Sequence, residues 1–159
     1  MVIGILRGVT VRGSSYMSDS ADNLNRFIKA QDESYDEIIR ELKNGEKVTH
    51  WMWYVFPQIA GLGQSATAKF YAIQDPSEAQ AYLDHPILGK RLLECTKIVM
   101  SLRGKSANTI FGDIDAMKFR SSMTLFMSVL GSDSVFQEAI EKYFEGEPDP
   151  KTLDILSRL

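Results

Sequence analysis

With 159 residues, 44% of them hydrophobic and 25% charged, the chain has the length of one domain and an ordinary globular composition, which excludes a disordered or fibrous protein. A formal net charge of -3 argues against general nucleic-acid binding, because neutralising phosphates needs an excess of Lys and Arg on one face. The single cysteine, Cys95, leaves no internal disulfide to form and fits a reducing cytoplasm. No segment approaches the roughly 18 to 20 uninterrupted apolar residues of a membrane span.

At the N-terminus the apolar run Val2–Leu6 is short and no basic residue precedes it, unlike a secretory leader. Residues 1–18 therefore read as a disordered extension, with Met17 as a candidate natural start. A single all-helical domain is expected over 19–159. From Asp19 onward apolar residues recur at helical spacing and almost nowhere alternate as strands would. Leu24, Phe27 and Ile28 form a stripe behind the cap candidates Asp19 and Ser20. Ser34-Tyr-Asp-Glu37 reads as a capping box opening a second helix, which buries Tyr35, Ile38, Ile39 and Leu42 and stops at Gly45.

Further along, Ser77-Glu-Ala-Gln80 reads as another capping box, and Pro86 as a first helical position. The helix that follows buries Leu88, Leu92, Cys95, Val99 and Leu102 and stops near Gly104. Next comes a helix over Asp113–Leu130, then a stripe of Val135, Phe136, Ala139, Ile140, Tyr143 and Phe144 that ends at Gly146. A last turn through Leu153 and Leu156 follows Pro150. The expected fold is all-α, a single compact domain of short helices and tight loops.

The stretch His50–Ser65, HWMWYVFPQIAGLGQS, departs from that pattern. A turn of helix there is apolar on every side and should be buried all round. Pro57 must end it, Gly61 and Gly63 allow close backbone approach, and Ser65 can cap the next helix. An aromatic wall, a glycine loop and an open helix N-terminus are the parts of a phosphate or nucleotide pocket. The plainer alternative is a core helix followed by a tight turn.

His50 and His85 with a lone Cys95 have no metal-ligand spacing, so no metal and no cofactor is implied. His50 can serve as a proton donor or acceptor near neutral pH. His85, next to Pro86, reads as a cap or joint between helices. Within Asp113–Leu130, Phe119, Met123, Phe126, Met127 and Leu130 form the core stripe, while Lys118, Ser121, Ser122 and Leu125 form a second one. A lysine with two hydroxyls a turn later can grip a phosphate or carboxylate. Small polar groups in Arg120–Thr124 are also better explained if something packs closely there, since Ser and Thr weaken an exposed helix. Gln31 continues the Leu24–Phe27–Ile28 stripe, which turns a polar amide inward, where it needs a partner in the protein or on a ligand.

The segments RFIKAQ at 26–31, HWMWYVFPQIAGLG at 50–63, AxAYLDHPILGKRL at 79–92 and IFGDIDAMKFRSSMTLF at 110–126 resemble the bacterial family called domain of unknown function 1810. The resemblance runs from about Asn23 to Leu156 and implies a single compact all-α domain, with no established activity. Relatives often carry Pro-Asp-Asp where this chain has Asp113-Ile-Asp115, and a capping carboxylate is expected to persist. In helical character the chain also resembles, more distantly, proteins acting on ADP-ribose and NAD-derived compounds.

The leading expectation is a cytoplasmic small-molecule pocket for a phosphorylated, nucleotide or ADP-ribose-like compound. Trp51 and Trp53 would form its wall, Gln31, His50 and Gln58 would orient polar groups, and Gly61 and Gly63 would admit the ligand. Lys118, Ser121 and Ser122 would hold the anion. If catalysis occurs, His50 and then Asp113 are the acid–base candidates. The alternative is a protein-interaction module presenting an aromatic patch. No nucleic-acid or membrane partner is expected, and oligomeric state is not legible.

Overall fold

In the computed structural model, residues 15–159 are described, with side chains from residue 23 onward. The extension expected over 1–18 falls almost wholly outside the described residues, as do the side chains of Asp19 and Ser20. Nine helices follow in order: α1 (Ser15–Asn44), α2 (Met52–Val55), α3 (Ala66–Phe70), α4 (Pro76–Asp84), α5 (Leu88–Ser101), α6 (Ala107–Phe111), α7 (Asp113–Leu130), α8 (Val135–Phe144) and α9 (Pro150–Ser157). Among the described residues the one extended pairing is a parallel bridge between Ile59 and Ile73. It ties the loop after α2 to the loop after α3.

The expected break at Ser34 does not occur; α1 runs through it without interruption. Its hydroxyl leans back on the Ala30 carbonyl at 3.5 Å, as a serine inside a helix does, rather than capping the N–H groups ahead of it. The helix ends as predicted at Gly45, φ 69°. There the N–H of Glu46 reaches the Glu41 carbonyl at 3.1 Å and that of Gly45 reaches Leu42 at 2.9 Å, the paired bonds of a Schellman ending.

The second capping box is displaced by two residues. Asp75 caps α4 by accepting from the Glu78 N–H at 2.8 Å, and Glu78 returns a bond to the Gln74 N–H at 2.8 Å. Pro76, not Pro86, takes the tolerant first position. His85 does join two helices: Nδ1 accepts from the N–H groups of Ile87 at 3.1 Å and Leu88 at 3.4 Å.

Helix α7 packs against α2, α4, α6, α8 and α9, and so runs through the centre of the molecule. Its core face carries Phe119, whose ring meets Phe56 edge-on at 5.0 Å and stacks on Phe111 at 4.8 Å. Met123 and Phe126 continue this face, whereas Leu130, expected with them, is exposed. Of the second stripe Ser121, Ser122 and Leu125 are inside, together with Thr124, and Lys118 is left half-buried. What packs there is the connection into α9. Arg120 donates to the carbonyls of Glu147 at 2.8 Å and Pro148 at 3.2 Å. The Asp149 N–H donates to Thr124 Oγ1 at 2.9 Å, and Asp149 in turn caps α9. In α9 the inward residue is Thr152, and Leu153 lies outside. No helix among the described residues is long and apolar enough to cross a membrane.

Candidate functional site

The loop between α1 and α2 is fastened from within. Glu41, only 4% exposed, accepts from the N–H groups of Val48 at 2.7 Å and Thr49 at 3.0 Å, the Thr49 hydroxyl at 2.5 Å and the Trp51 indole at 2.9 Å. Burial pushes this carboxyl up, but the bonds from Thr49, Val48 and Trp51 outweigh it and leave the pKa below its usual value. The donors flank His50 on both sides, so this exposed side chain projects from a fixed backbone. Trp51, tied to Glu41, is buried, while Trp53 and Tyr54 are half-exposed, against the expectation that this turn is buried all round.

Trp53 lines three concavities, two of which hold most of the expected site residues. One is a cleft of about 440 Å³ lined by Lys47, His50, Asp113, Asp115 and Lys118. Here Lys118 Nζ lies 4.6 Å from the centre of the Trp53 ring. Asp115 is shared: Lys47 Nζ is 2.8 Å away and Lys118 Nζ 3.4 Å. Lys47 is the closer and more deeply buried partner, so Lys118 keeps donors facing the cleft. Asp113 is exposed at the rim and accepts from Asn108 Nδ2 at 2.8 Å. It does not cap α7; Gly112 holds that position without a side-chain bond, and Asp113 sits in the first turn, where a carboxylate suits the helix dipole.

The other is a pocket of about 220 Å³ lined by Gln58, Gly61, Gly63, Tyr71 and Gln74. Its walls are the loops joined by the Ile59–Ile73 bridge, with Ile73 donating to the Gln58 carbonyl and Ala60 to the Ile73 carbonyl, both at 2.8 Å. The two glycines do line it, but their need for glycine has an internal cause. Gly61 has φ 108°, and a Cβ there would meet Ile155 of α9 at 3.2 Å; at Gly63 a Cβ would stand 2.5 Å from that of Ala68 in α3. Close packing of helices, rather than a ligand, accounts for them.

The remaining expected site residues face the protein. Gln31, 2% exposed, donates to the Tyr54 carbonyl at 2.7 Å and the Tyr82 hydroxyl at 3.1 Å, and accepts from Arg91 at 3.3 Å. The Ser121 hydroxyl lies 3.0 Å from both the Met117 carbonyl and Asp149 Oδ2. Ser122 is wholly buried, without a hydrogen-bond partner among the described residues. The Lys118–Ser121–Ser122 grip is therefore not formed: successive turns of α7 turn the lysine to the cleft and the serines to the interior. Ser65 does cap α3, accepting from Ala68 at 3.1 Å.

Sequence reasoning passed over Glu41, Lys47 and Asp115. Glu41 carried the signal that marked Gln31, a polar residue three positions after Ile38 on an inward stripe. Asp115 stands three before Lys118, the spacing of a helical ion pair. Lys47 lies in a loop, where no periodicity announces it. Among the described residues no three His, Cys, Asp or Glu side chains gather as a metal site would require.

The model of the family described as Protein of unknown function (DUF1810) matches residues 21–156. The chain belongs to this family. Within DUF1810 terms, the cleft and the pocket beside Trp53 lie inside the matched region. The fold is similar to a crystal structure described as that of the conserved hypothetical protein Rv1873 from Mycobacterium tuberculosis, at 44% identity over 85% of this chain and 96% of that one, with a TM-score of 0.83. A comparison with curated proteins finds no match.

Proposed function

We propose that this DUF1810 domain binds a small anionic, nucleotide-like compound in the cleft between α2 and the start of α7. The observation that carries the reading is Lys118 over the half-exposed Trp53 ring in a cleft that His50 also lines, with Asp115 drawn closer to Lys47. Such a site supplies a cation with unused donors, an aromatic surface and an imidazole that can donate or accept a hydrogen bond. Lys118 holds the anion, Trp53 backs the ligand, and His50 orients it. Where binding leads to reaction, His50 is the proton donor or acceptor, with Asp113 at the rim as the second. The domain works in the cytoplasm in this reading.

A thermal-shift screen against nucleotides, NAD and ADP-ribose tests it. A true ligand at a hundred times its Kd adds about 2.7 kcal/mol of stability, and Lys118→Ala is expected to abolish the shift. Flat responses from every compound would overturn the proposal.

A second reading, an interaction module, is favoured by exposed apolar side chains beside the cleft: Val48 at 69%, Ile114 at 73% and Met117 at 67%. The flat tryptophan patch that would support it is missing, since Trp51 is buried and Trp53 borders concavities.

A further inference from the structure

Resting on the binding reading above, we infer that the smaller pocket lined by Trp53 is a nucleobase subsite, so that the ligand reaches past the indole with its ring at Gln58 and its anion at Lys118. Four observations converge. The pocket, at about 220 Å³, is smaller than the cleft of about 440 Å³ and suits one ring system better than a chain. Trp53 and Tyr71 give it two aromatic walls, which favour a planar group whose faces are shielded from water.

The polar groups are of the right kind. Gln58 is half-buried, and while its main-chain carbonyl is used in the bridge to Ile73, its side-chain amide has no partner among the described residues. An amide offers an acceptor beside two donors, the pattern complementary to a base edge that carries a donor next to an acceptor. The exposed Gln74 side chain donates to the Ala72 carbonyl at 3.3 Å and retains its oxygen as an acceptor. Finally, no carboxylate lines this pocket, and its one cation, Lys69, is exposed, where solvent screens it. The two concavities thus differ in chemistry: the cleft carries two lysines and two aspartates, whereas the pocket holds two side-chain amides, no carboxylate and one exposed lysine.

Isothermal titration of the full chain with AMP, GMP, CMP, UMP and ribose 5-phosphate tests the assignment. At least one of the four nucleotides is expected to bind about tenfold or more tightly than ribose 5-phosphate, the worth of one or two good hydrogen bonds. Gln58→Ala should erase that margin and leave ribose 5-phosphate binding as it was. Gln58→Glu, nearly the same size with a donor replaced by an acceptor, should reorder the four nucleotides. Lys118→Ala should weaken all five probes alike. If the probes bind through Lys118 but no nucleotide outdoes ribose 5-phosphate, or the Gln58 variants keep the wild-type order, the base subsite is wrong while the anion cleft stands. If none of the five binds, the base subsite is wrong, and the anion cleft then stands or falls on the thermal-shift screen.

Discussion

At the scale of single residues, Glu41 shows how an interior charge is held by hydrogen-bond donors rather than by a cation. Its carboxyl titrates below its unfolded value, so it adds stability that is present above the unfolded pKa of about 4.3 and is lost as pH falls through the lower folded value. Urea midpoints followed from pH 7 to pH 3 should therefore fall more steeply for the wild type than for Glu41→Gln. At pH 7 the same variant should cost about 1 to 3 kcal/mol, since one amide oxygen cannot serve four donors. Cys95 is the opposite case. Burial pushes its thiol up to about 12, against a hydrogen bond with Tyr35 that pulls it down. Alkylation at pH 8 is expected to proceed only as fast as the protein opens, and to become immediate in urea, which mass spectrometry can follow.

At the scale of elements, the helical periodicity placed α5, α7 and α8 to within a residue or two, because each has a buried stripe and a definite stop. The errors arose at caps. Ser34 and Ser77 stand at capping spacings, yet a cap is decided by where the chain turns, and at Ser34 it does not turn. Two alanine variants separate these cases. Ser34→Ala should leave stability unchanged or slightly higher, as alanine is the better helix former. Asp75→Ala should cost about 1 kcal/mol, the worth of a true N-cap. Equal losses at both positions in chemical denaturation would contradict the unbroken α1. The short helix α6 left no periodic trace, since five residues make little more than one turn.

At the scale of the whole molecule, the polar stripe of α7 holds the C-terminal segment in place rather than gripping a ligand. Ser121 and Thr124 reach Asp149, and Arg120 reaches the two carbonyls ahead of it. Combining Ser121→Ala with Thr124→Val is expected to speed hydrogen exchange over residues 150–157 while α5 and α7 keep their protection. Of the candidate site, sequence showed the residues that interrupt a pattern: His50, Trp53, Gln58 and Lys118. It could not show which concavity each would enter, because Gln31 and Trp51 interrupt the pattern equally well and find their partners inside. Burial and pairing are long-range facts, and local spacing does not contain them.

The chain has two tryptophans, and they sit two residues apart in opposite surroundings. One indole is locked to Glu41 in the interior; the other lines the concavities described above with an ammonium over its ring. Two optical probes are thereby built in. In a Trp53→Phe protein, emission reports the interior alone, should be blue-shifted, and should resist iodide or acrylamide. In a Trp51→Phe protein the remaining light comes from the cleft wall, where quenchers reach it and where any compound settling against the ring must change its colour or intensity.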